Sequence, residues 1–198
     1  MAMNRVQFQP GLSMPAFLRL FGTETQCEAA LEQARWPQGF RCPRCGGAAH
    51  CVLGVRARKT FQCNGCHHQT SLIAGSAFEG TKLGLTEWFL ALYLISQAKT
   101  GLSALALKRD LGVSYPTAWL IHHQLMQAMI EREARSVLCG TVQVDDADLG
   151  GELNDGTAGR GSQIKVPFLA AVSLDEDGHP LRAKLARLPG FTRKAIAA

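Results

Sequence analysis

Two Cys-x-x-Cys pairs constrain the fold of this chain more than any other feature of its sequence. Cys42 and Cys45 form the first pair, Cys63 and Cys66 form the second, and 17 residues separate the two pairs. This interval is typical of a four-cysteine zinc ribbon, in which two tight turns bring four thiolates to one tetrahedral metal ion. A closed tetrahedron has no position for water, so the sequence predicts a structural zinc ion.

The spacing specifies the ligands more firmly than it specifies the metal. An iron-sulfur cluster uses the same ligand type, and four ordinary buried cysteines are the plainer alternative. Cys27 and Cys139 are interpreted as packed thiols. Four other residues lie close enough in sequence to substitute as ligands, although none has the spacing of a knuckle: His50, Cys51, His67 and His68.

Charge is distributed unevenly along the 198 residues, whose formal net charge is +5. No acidic residue occurs between Glu32 and Glu79, so the ribbon is more basic than the whole chain and suits an anionic partner. The most apolar window, residues 83–95, is too short to span a bilayer, and the N-terminal residues lack the apolar run of a secretory signal. We therefore expect an intracellular protein with no membrane partner.

Residues 81–136 have the apolar period of helices. Ser103 is predicted to cap a short helix that ends at Gly112, and Ser114 to cap a longer helix with Pro116 in its first turn. Two helices joined by a Gly-Val-Ser turn are typical of a helix-turn-helix, although a plain helical bundle has the same pattern. The expected buried face of the preceding helix consists of Leu85, Trp88, Phe89, Leu92 and Ile95.

A basic ribbon beside a helix-turn-helix predicts a DNA-binding protein, because both surfaces can contact phosphates. Within the second helix, three residues are predicted to lie in the core: Trp119, Leu120 and Met126. We expect DNA contacts from ten residues, which are Arg41, Arg44, Arg56, Arg58, Lys59, Lys108, Arg109, Tyr115, Thr117 and His122.

From residue 139 onward the pattern changes to three strands, TVQVD, VPFLAAVSLD and HPLRAKLARL, followed by FTRKAIAA as the opening of a helix. Asp145 closes the first predicted strand, and Asp146, its neighbour, points to the opposite face. Such close carboxylates belong either to a solvated turn or to a metal site. Asp175 and Asp177 fit a hairpin turn between the second and third strands.

Four motifs occur in an informative order: RWPQGFRCPRCG, CNGCHHQTS, TKLGLTEWFLALYLISQAKTGLSALALKRDLGVSYPTAWLIHHQLMQAM and LCGTVQVDDADLGGE. Together they strongly resemble bacterial insertion-sequence transposases with an N-terminal zinc ribbon, over roughly residues 15–198. The resemblance implies a DDE-type enzyme with a ribonuclease H-like domain, which cuts and joins DNA by two-metal phosphodiester chemistry.

The resemblance also implies roles for individual residues. The first catalytic carboxylate of the family maps onto Asp145, which would bind magnesium, and Asp146 stands where the family commonly has an acidic neighbour. Asp148 departs from the pattern, because the family usually has an aromatic residue there. The second Asp and the third carboxylate of the family lie beyond the residues present, so we expect an N-terminal piece.

We therefore expect an α+β protein in three parts. These are short helices and a zinc ribbon in residues 1–80, a helix-turn-helix region in residues 81–136, and an incomplete ribonuclease H-like α/β domain in residues 139–198. The expected partners are the DNA of the element's terminal repeats and further copies of the chain in a transposition complex. The expected location is the bacterial cytoplasm, in association with the nucleoid.

Three functions are compatible with the sequence. The first is a transposase whose catalysis requires further residues, and the second is a catalytically inactive DNA-binding remnant or regulator of transposition. A zinc-dependent transcription factor is the third, but it would leave residues 139–198 without a purpose.

Overall fold

The computed structural model describes residues 11–53, 58–98, 100–150 and 165–190. The chain divides into two compact units, one of which is Gly11–Ile130, while the other contains the chain from Glu131 onward. The predicted boundary at residue 80 falls inside the first unit. Among the described residues, no helix has both the length and the apolar character needed to cross a membrane.

Two short helices open the first unit, as the sequence predicts. Helix α1 spans Met14–Phe21 and helix α2 spans Glu24–Arg35. Ser13 caps α1 by accepting a hydrogen bond from the backbone of Ala16 at 3.3 Å. Thr23 and Gln26 cap α2 reciprocally, each side chain accepting from the other's backbone N–H, at 3.3 and 3.1 Å. Local polar side chains therefore fix where both helices begin.

A three-stranded antiparallel sheet carries the predicted ribbon. Strand β1 (His50–Leu53) pairs with β2 (Thr60–Cys63), and β2 pairs with β3 (Gln69–Ser71). Strand β2 lies in the middle of this sheet. The buried residues of the ribbon form one cluster around it: Phe40, Cys42, Phe61, Cys63 and Leu72.

The predicted helical region is confirmed as three helices: α3 (Leu85–Gln97), α4 (Ala104–Leu111) and α5 (Tyr115–Ala134). Ser103 caps α4 through the backbone of Ala106 at 3.1 Å. Gly112 ends α4 in the left-handed conformation, at φ 68°, which glycine adopts without steric cost. Ser114 accepts a hydrogen bond from the backbone of Thr117 at 3.4 Å and so caps α5.

The second core cluster lies among the helices, and its buried residues include Cys27, Leu85, Trp88, Leu107 and Ile121. Leu31 of α2 packs against this cluster and also against the ribbon cluster, so α2 joins the two. The prediction that Cys27 is a packed thiol is confirmed. Its burial raises the pKa of the Cys27 thiol to about 11, with smaller contributions from nearby carboxylates.

Several predictions about the helix faces are wrong. Trp119 and Leu120 were expected in the core, but their side chains are 46% and 51% exposed, and Leu92 of α3 is 38% exposed. The face of α5 that meets the core consists instead of Ala118, Ile121 and Leu125. Met126 is half-buried beside that face.

Glu24 connects three segments of the first unit. Helix α3 begins after Gly84, which has no side chain to cap it, and the Glu24 carboxylate accepts hydrogen bonds from the backbone of Leu85 at 2.9 and 2.8 Å. Arg58, which precedes β2, donates to the same carboxylate at 2.8 Å and also to the carbonyl oxygen of Leu83. A β-carbon on Gly84 would clash with the Glu87 carboxylate and would stand 3.1 Å from that of Glu24, so these contacts favour glycine there.

The second unit contains the three predicted strands. Strand β4 (Thr141–Leu149) pairs with β5 (Val166–Leu174), and β5 pairs with β6 (Pro180–Arg187), all antiparallel. The prediction of a hairpin turn at Asp175 and Asp177 is confirmed. Cys139 is exposed rather than packed, so that prediction is wrong. The helix predicted to open at residue 191 lies outside the described residues.

Asp145 does not end its strand, contrary to prediction. It lies in the middle of β4, opposite Ala170, and the pairing continues to Leu149 opposite Val166. The strand extends because β5 offers a partner along its whole length, whereas the sequence alone suggested a turn at the run of aspartates. The alternative of a solvated turn at Asp145 is therefore also wrong.

Candidate metal centre and nucleic-acid interface

The four cysteine sulfurs of the ribbon converge on one point. The Sγ atoms of Cys42 and Cys66 lie 3.6 Å apart, and those of Cys45 and Cys63 lie 3.5 Å apart. All four lie within 4.8 Å of one another. A tetrahedron with metal–sulfur distances of about 2.3 Å has corners about 3.8 Å apart. The donor set and its dimensions therefore fit a tetrahedral zinc ion.

Two turns of the same construction carry these sulfurs. In the first knuckle, the backbone N–H of Cys42 donates to Gly47 at 3.0 Å, and that of Gly46 donates to Cys42 at 2.8 Å. In the second, the backbone N–H of Cys63 donates to His68, and that of His67 donates to Cys63, both at 3.0 Å. The shared pattern explains why the two Cys-x-x-Cys pairs present their sulfurs alike.

The surroundings of Cys42 and Cys63 favour thiolates, whereas those of Cys45 favour the thiol. Hydrogen bonds from the backbone of Cys66 and Gly65 lower the pKa of Cys63 to about 6. Burial opposes ionisation of Cys42, but hydrogen bonds from the backbone of Cys45 and Arg44 leave its pKa lowered. The pKa of Cys45 is raised to about 12: a hydrogen bond from Gly47 lowers it, but contacts with the other three sulfurs outweigh that effect. A bound divalent cation would displace the thiol proton that the contacts between sulfurs retain on Cys45.

The alternative ligands do not join the four sulfurs. Among the described residues, the group within metal-binding distance contains only Cys42, Cys45, Cys63 and Cys66. His50 directs its Nδ1 to the carbonyl oxygen of Ala48 at 2.8 Å, and Cys51 is exposed. His67 and His68 contribute their backbones to the second knuckle, as described above.

The basic residues of the ribbon divide into two kinds. Arg58 pairs with Glu24 at 2.8 Å, and Lys59 pairs with Glu32, so their charges are compensated and hold the ribbon against α2. Arg41 and Arg44 are exposed on the first knuckle. Arg56, also predicted to contact DNA, lies outside the described residues.

The α4–α5 pair presents several of the predicted DNA-contacting residues. Lys108 and Arg109 are exposed in the last turn of α4, and Tyr115 is 47% exposed at the start of α5. The Thr117 hydroxyl lies 2.8 Å from that of Ser114 and belongs to the helix cap. His122 is half-buried.

One pair of side chains on α5 was not predicted from the sequence. Trp119 is exposed, and the His123 imidazole stacks on its indole with ring centroids 3.8 Å apart. Their four-residue spacing, which places both on one helix face, is the signal that could have revealed the pair.

Among the described residues of the second unit, Asp145 belongs to no group of three or more side chains that could hold a metal ion. Asp145 is exposed, and its Oδ1 accepts a hydrogen bond from the backbone of Asp146 at 2.9 Å. Among the described residues, one group that contains carboxylates has its potential ligand atoms within 4.8 Å of one another. It consists of Asp175, Asp177 and His179 in the β5–β6 turn. Asp175 Oδ1 accepts hydrogen bonds from the backbone of Asp177 at 3.0 Å and of His179 at 2.7 Å, so this carboxylate stabilises the turn, and the bond from His179 lowers the pKa of Asp175.

Comparisons with known proteins agree with this geometry. Residues 22–69, which include all four cysteines, match the family described as "Transposase zinc-ribbon domain". The chain is also 29% identical over 187 residues to a protein of Halobacterium salinarum described as "Uncharacterized protein in transposable element ISH50". That match covers 85% of this chain and 62% of the relative. No solved structure matches the chain.

The family match and the four-sulfur geometry support a zinc ribbon of the transposase type, with a structural zinc ion, in residues 22–69. The relative is archaeal, so the bacterial source remains a prediction. The chain spans 62% of the length of this curated relative.

Proposed function

We propose that this chain is a transposase that binds the terminal repeats of its own element through the zinc ribbon and the α4–α5 helix-turn-helix. The observation that supports this proposal most directly is the convergence of four thiols inside the segment that matches a transposase zinc ribbon. The ribbon and the helices share one compact unit, so both surfaces can act on one DNA molecule.

Exposed cations on both parts support phosphate contact. Arg41 and Arg44 lie on the first knuckle, and Lys108 and Arg109 lie at the end of α4. Arg58 and Lys59 stabilise the ribbon through ion pairs, so we expect them to contribute less to DNA affinity than the exposed arginines. Phosphate contacts release counterions and make affinity fall steeply with salt.

A gel-shift titration tests this proposal. The zinc-loaded protein is titrated into a duplex of the terminal repeat and into an unrelated duplex of equal length, at several salt concentrations. We expect tighter binding to the repeat and a weaker complex for Arg41→Ala with Arg44→Ala, measured against Arg135→Ala, an exposed arginine of the other unit, as a control. Equal affinity for both duplexes would contradict sequence-specific binding.

The catalytic part of the proposal rests on β4, β5 and β6. The resemblance implies that Asp145 belongs to the first strand of a ribonuclease H-like domain, and β4, which carries it, opens an antiparallel meander, although Asp145 lies in the middle of this strand and not at its end. Asp145 would hold one of two magnesium ions, which activate the attacking oxygen and stabilise the leaving oxygen of the phosphodiester. The remaining carboxylates would come from other elements of a complete catalytic domain.

A second candidate is a regulator that occupies the element ends without cutting them. Asp145 belongs to no group of three or more potential metal ligands among the described residues, which favours the regulator, because a two-metal site needs several converging carboxylates. Cleavage of the terminal repeat in magnesium or manganese would exclude the regulator.

A further inference from the structure

We propose that Trp119 and His123 are the base-reading element of α5 and that they contact an A·T pair in the major groove of duplex DNA. This inference rests on the proposed DNA binding and names the side chains and the base pair concerned. Trp119 is 46% exposed, although its sequence context predicts a core residue.

The two rings form an ordered surface. The His123 imidazole lies over the Trp119 indole with ring centroids 3.8 Å apart and an interplanar angle of 25°. The Nδ1–H of His123 donates to the backbone carbonyl oxygen of Trp119 at 2.9 Å. One stacking contact and one hydrogen bond therefore restrain the His123 ring, so less conformational entropy is lost when a ligand binds.

The position of the pair on α5 suits a recognition helix. One face of α5 packs against the core through Ala118, Ile121 and Leu125. Trp119 and His123 therefore lie on another face of the helix. Trp119 lies in the second turn of α5, near its N-terminus. The N-terminal residues of a recognition helix are those that contact base edges in the major groove.

Hydrogen-bond chemistry selects the base pair. Since Nδ1 of His123 donates to a carbonyl oxygen, Nε2 is the acceptor of the neutral imidazole. In the major groove, the adenine and cytosine amino groups are the donors that such an acceptor can meet. Of the pairs that contain them, only A·T also carries a thymine methyl group, which an apolar indole face can contact. The pair of side chains therefore matches A·T.

Exposed cations beside this face favour DNA over a second copy of the chain as its occupant. Residues 112–130 contain no Asp, Glu, Lys or Arg, so this stretch neither repels nor attracts a phosphate, and the attraction comes from the preceding helix. Lys108 and Arg109 are exposed at the end of the preceding helix, and Asp110 beside them leaves that turn with a net positive charge. Backbone contacts by such cations position a recognition helix without specifying sequence.

Base substitution in the DNA tests the proposal on the unaltered protein. The zinc-loaded full chain is titrated into the terminal-repeat duplex, into the same duplex with uracil in place of thymine, and into one with purine in place of adenine. Uracil lacks only the methyl group, and purine lacks only the amino group. We expect each substitution to weaken binding by about tenfold, the loss of one specific base contact.

Protein variants then assign each contact to one ring. Trp119→Ala should bind the thymine and uracil duplexes equally, because it has no indole to meet the methyl group. His123→Phe keeps a ring for stacking but has no Nε2, so it should bind the adenine and purine duplexes equally while still preferring thymine to uracil. Leu120→Ala is the matched control, since Leu120 is 51% exposed on the neighbouring side of the helix.

The outcomes separate this inference from the proposed function. If the unaltered protein prefers the repeat but does not distinguish thymine from uracil or adenine from purine, the base-reading role is wrong and DNA binding stands. Should the protein show no preference for the repeat, the proposed function itself fails. Trp119→Ala is also examined by sedimentation, because dissociation of a dimer in this variant, with its base preferences unchanged, would identify the face as an interface between copies.

Discussion

His67 occupies in the second zinc knuckle the position that Gly46 occupies in the first. Each follows its Cys-x-x-Cys pair directly, each donates its backbone N–H to the first cysteine of that pair, and each has a positive φ, 54° for His67 and 73° for Gly46. Glycine adopts this conformation freely, whereas a residue with a β-carbon is strained in it. The second knuckle therefore holds a strained residue where the first holds glycine.

Substituting glycine for His67 should stabilise the ribbon. Relief of the left-handed strain, about 1 to 2 kcal/mol, exceeds the entropic cost of a glycine, about 0.5 to 1 kcal/mol. We expect a net gain of about 0.5 kcal/mol in the free energy of unfolding. The reciprocal change, Gly46→Ala, should cost about 1 kcal/mol. Urea denaturation of the zinc-loaded protein measures both.

His67→Ala is the matched control, because it removes the imidazole but keeps the β-carbon that causes the strain. It should leave stability unchanged or slightly reduced. Equal stabilisation by alanine and glycine would show that the imidazole, and not the backbone conformation, limits the stability of this knuckle.

The four-sulfur centre should hold one zinc ion per chain. Double substitution of Cys42 and Cys45 by serine should abolish stoichiometric zinc, because only two thiolates of the tetrahedron would remain. Cys51→Ser is the control, since Cys51 is exposed and outside the group of four sulfurs. Elemental analysis of the purified proteins decides the matter, and stoichiometric zinc in the double variant would contradict the assignment.

Removal of the metal should disturb the ribbon core more than the helical core. Cys42 and Cys63 are buried in the ribbon cluster, beside which Trp36 packs on Phe61 with ring centroids 4.9 Å apart. Trp88 belongs to the helical cluster and donates its indole N–H to Thr81 at 2.9 Å. On chelation we expect the indole N–H resonance of Trp36 to shift and broaden while that of Trp88 persists. Equal loss of both resonances would show that the two clusters unfold together.

Glu24 should stabilise the first unit through its contacts with the N-terminus of α3 and with Arg58. Glu24→Ala should cost about 2 kcal/mol, because two backbone N–H groups and a guanidinium lose a charged acceptor. Glu24→Gln keeps an acceptor without the charge and should cost about 1 kcal/mol. Denaturation midpoints provide the measurement. Glu28→Ala, one turn further along α2, is the control, and an equal loss there would exclude a specific role for Glu24.

Local signals in the sequence predicted much of this fold. Ser103, Gly112 and Ser114 mark helix ends by chemistry that acts within a few residues, so the bounds of α4 and the start of α5 follow from them. The Cys-x-x-Cys spacing likewise predicted the convergence of four sulfurs.

Features that depend on distant partners could not be predicted in this way. Glu24 caps a helix 61 positions later, and nothing near either residue signals the contact. Asp145 was predicted to end its strand because the sequence around it does not show that β4 pairs with β5 as far as Leu149. Trp119 was placed in the core because apolar character indicates burial, although the position of the neighbouring elements decides which face of a helix is covered.

Phosphodiester cleavage by the 198-residue chain depends on the carboxylates available around Asp145. A two-metal site neutralises and positions two cations with several carboxylates from different elements. Asp145 alone matches the transposase pattern, and among the described residues it belongs to no group of three or more side chains that could hold a metal ion. We therefore expect neither nicking nor joining of a labelled terminal-repeat duplex in magnesium or manganese, by this chain or by Asp145→Ala. Cleavage that disappears in Asp145→Ala but persists in Asp177→Ala, whose carboxylate lies in the β5–β6 turn, would contradict this expectation. It would mean that carboxylates beyond those described, or a second copy of the chain, complete the site around Asp145.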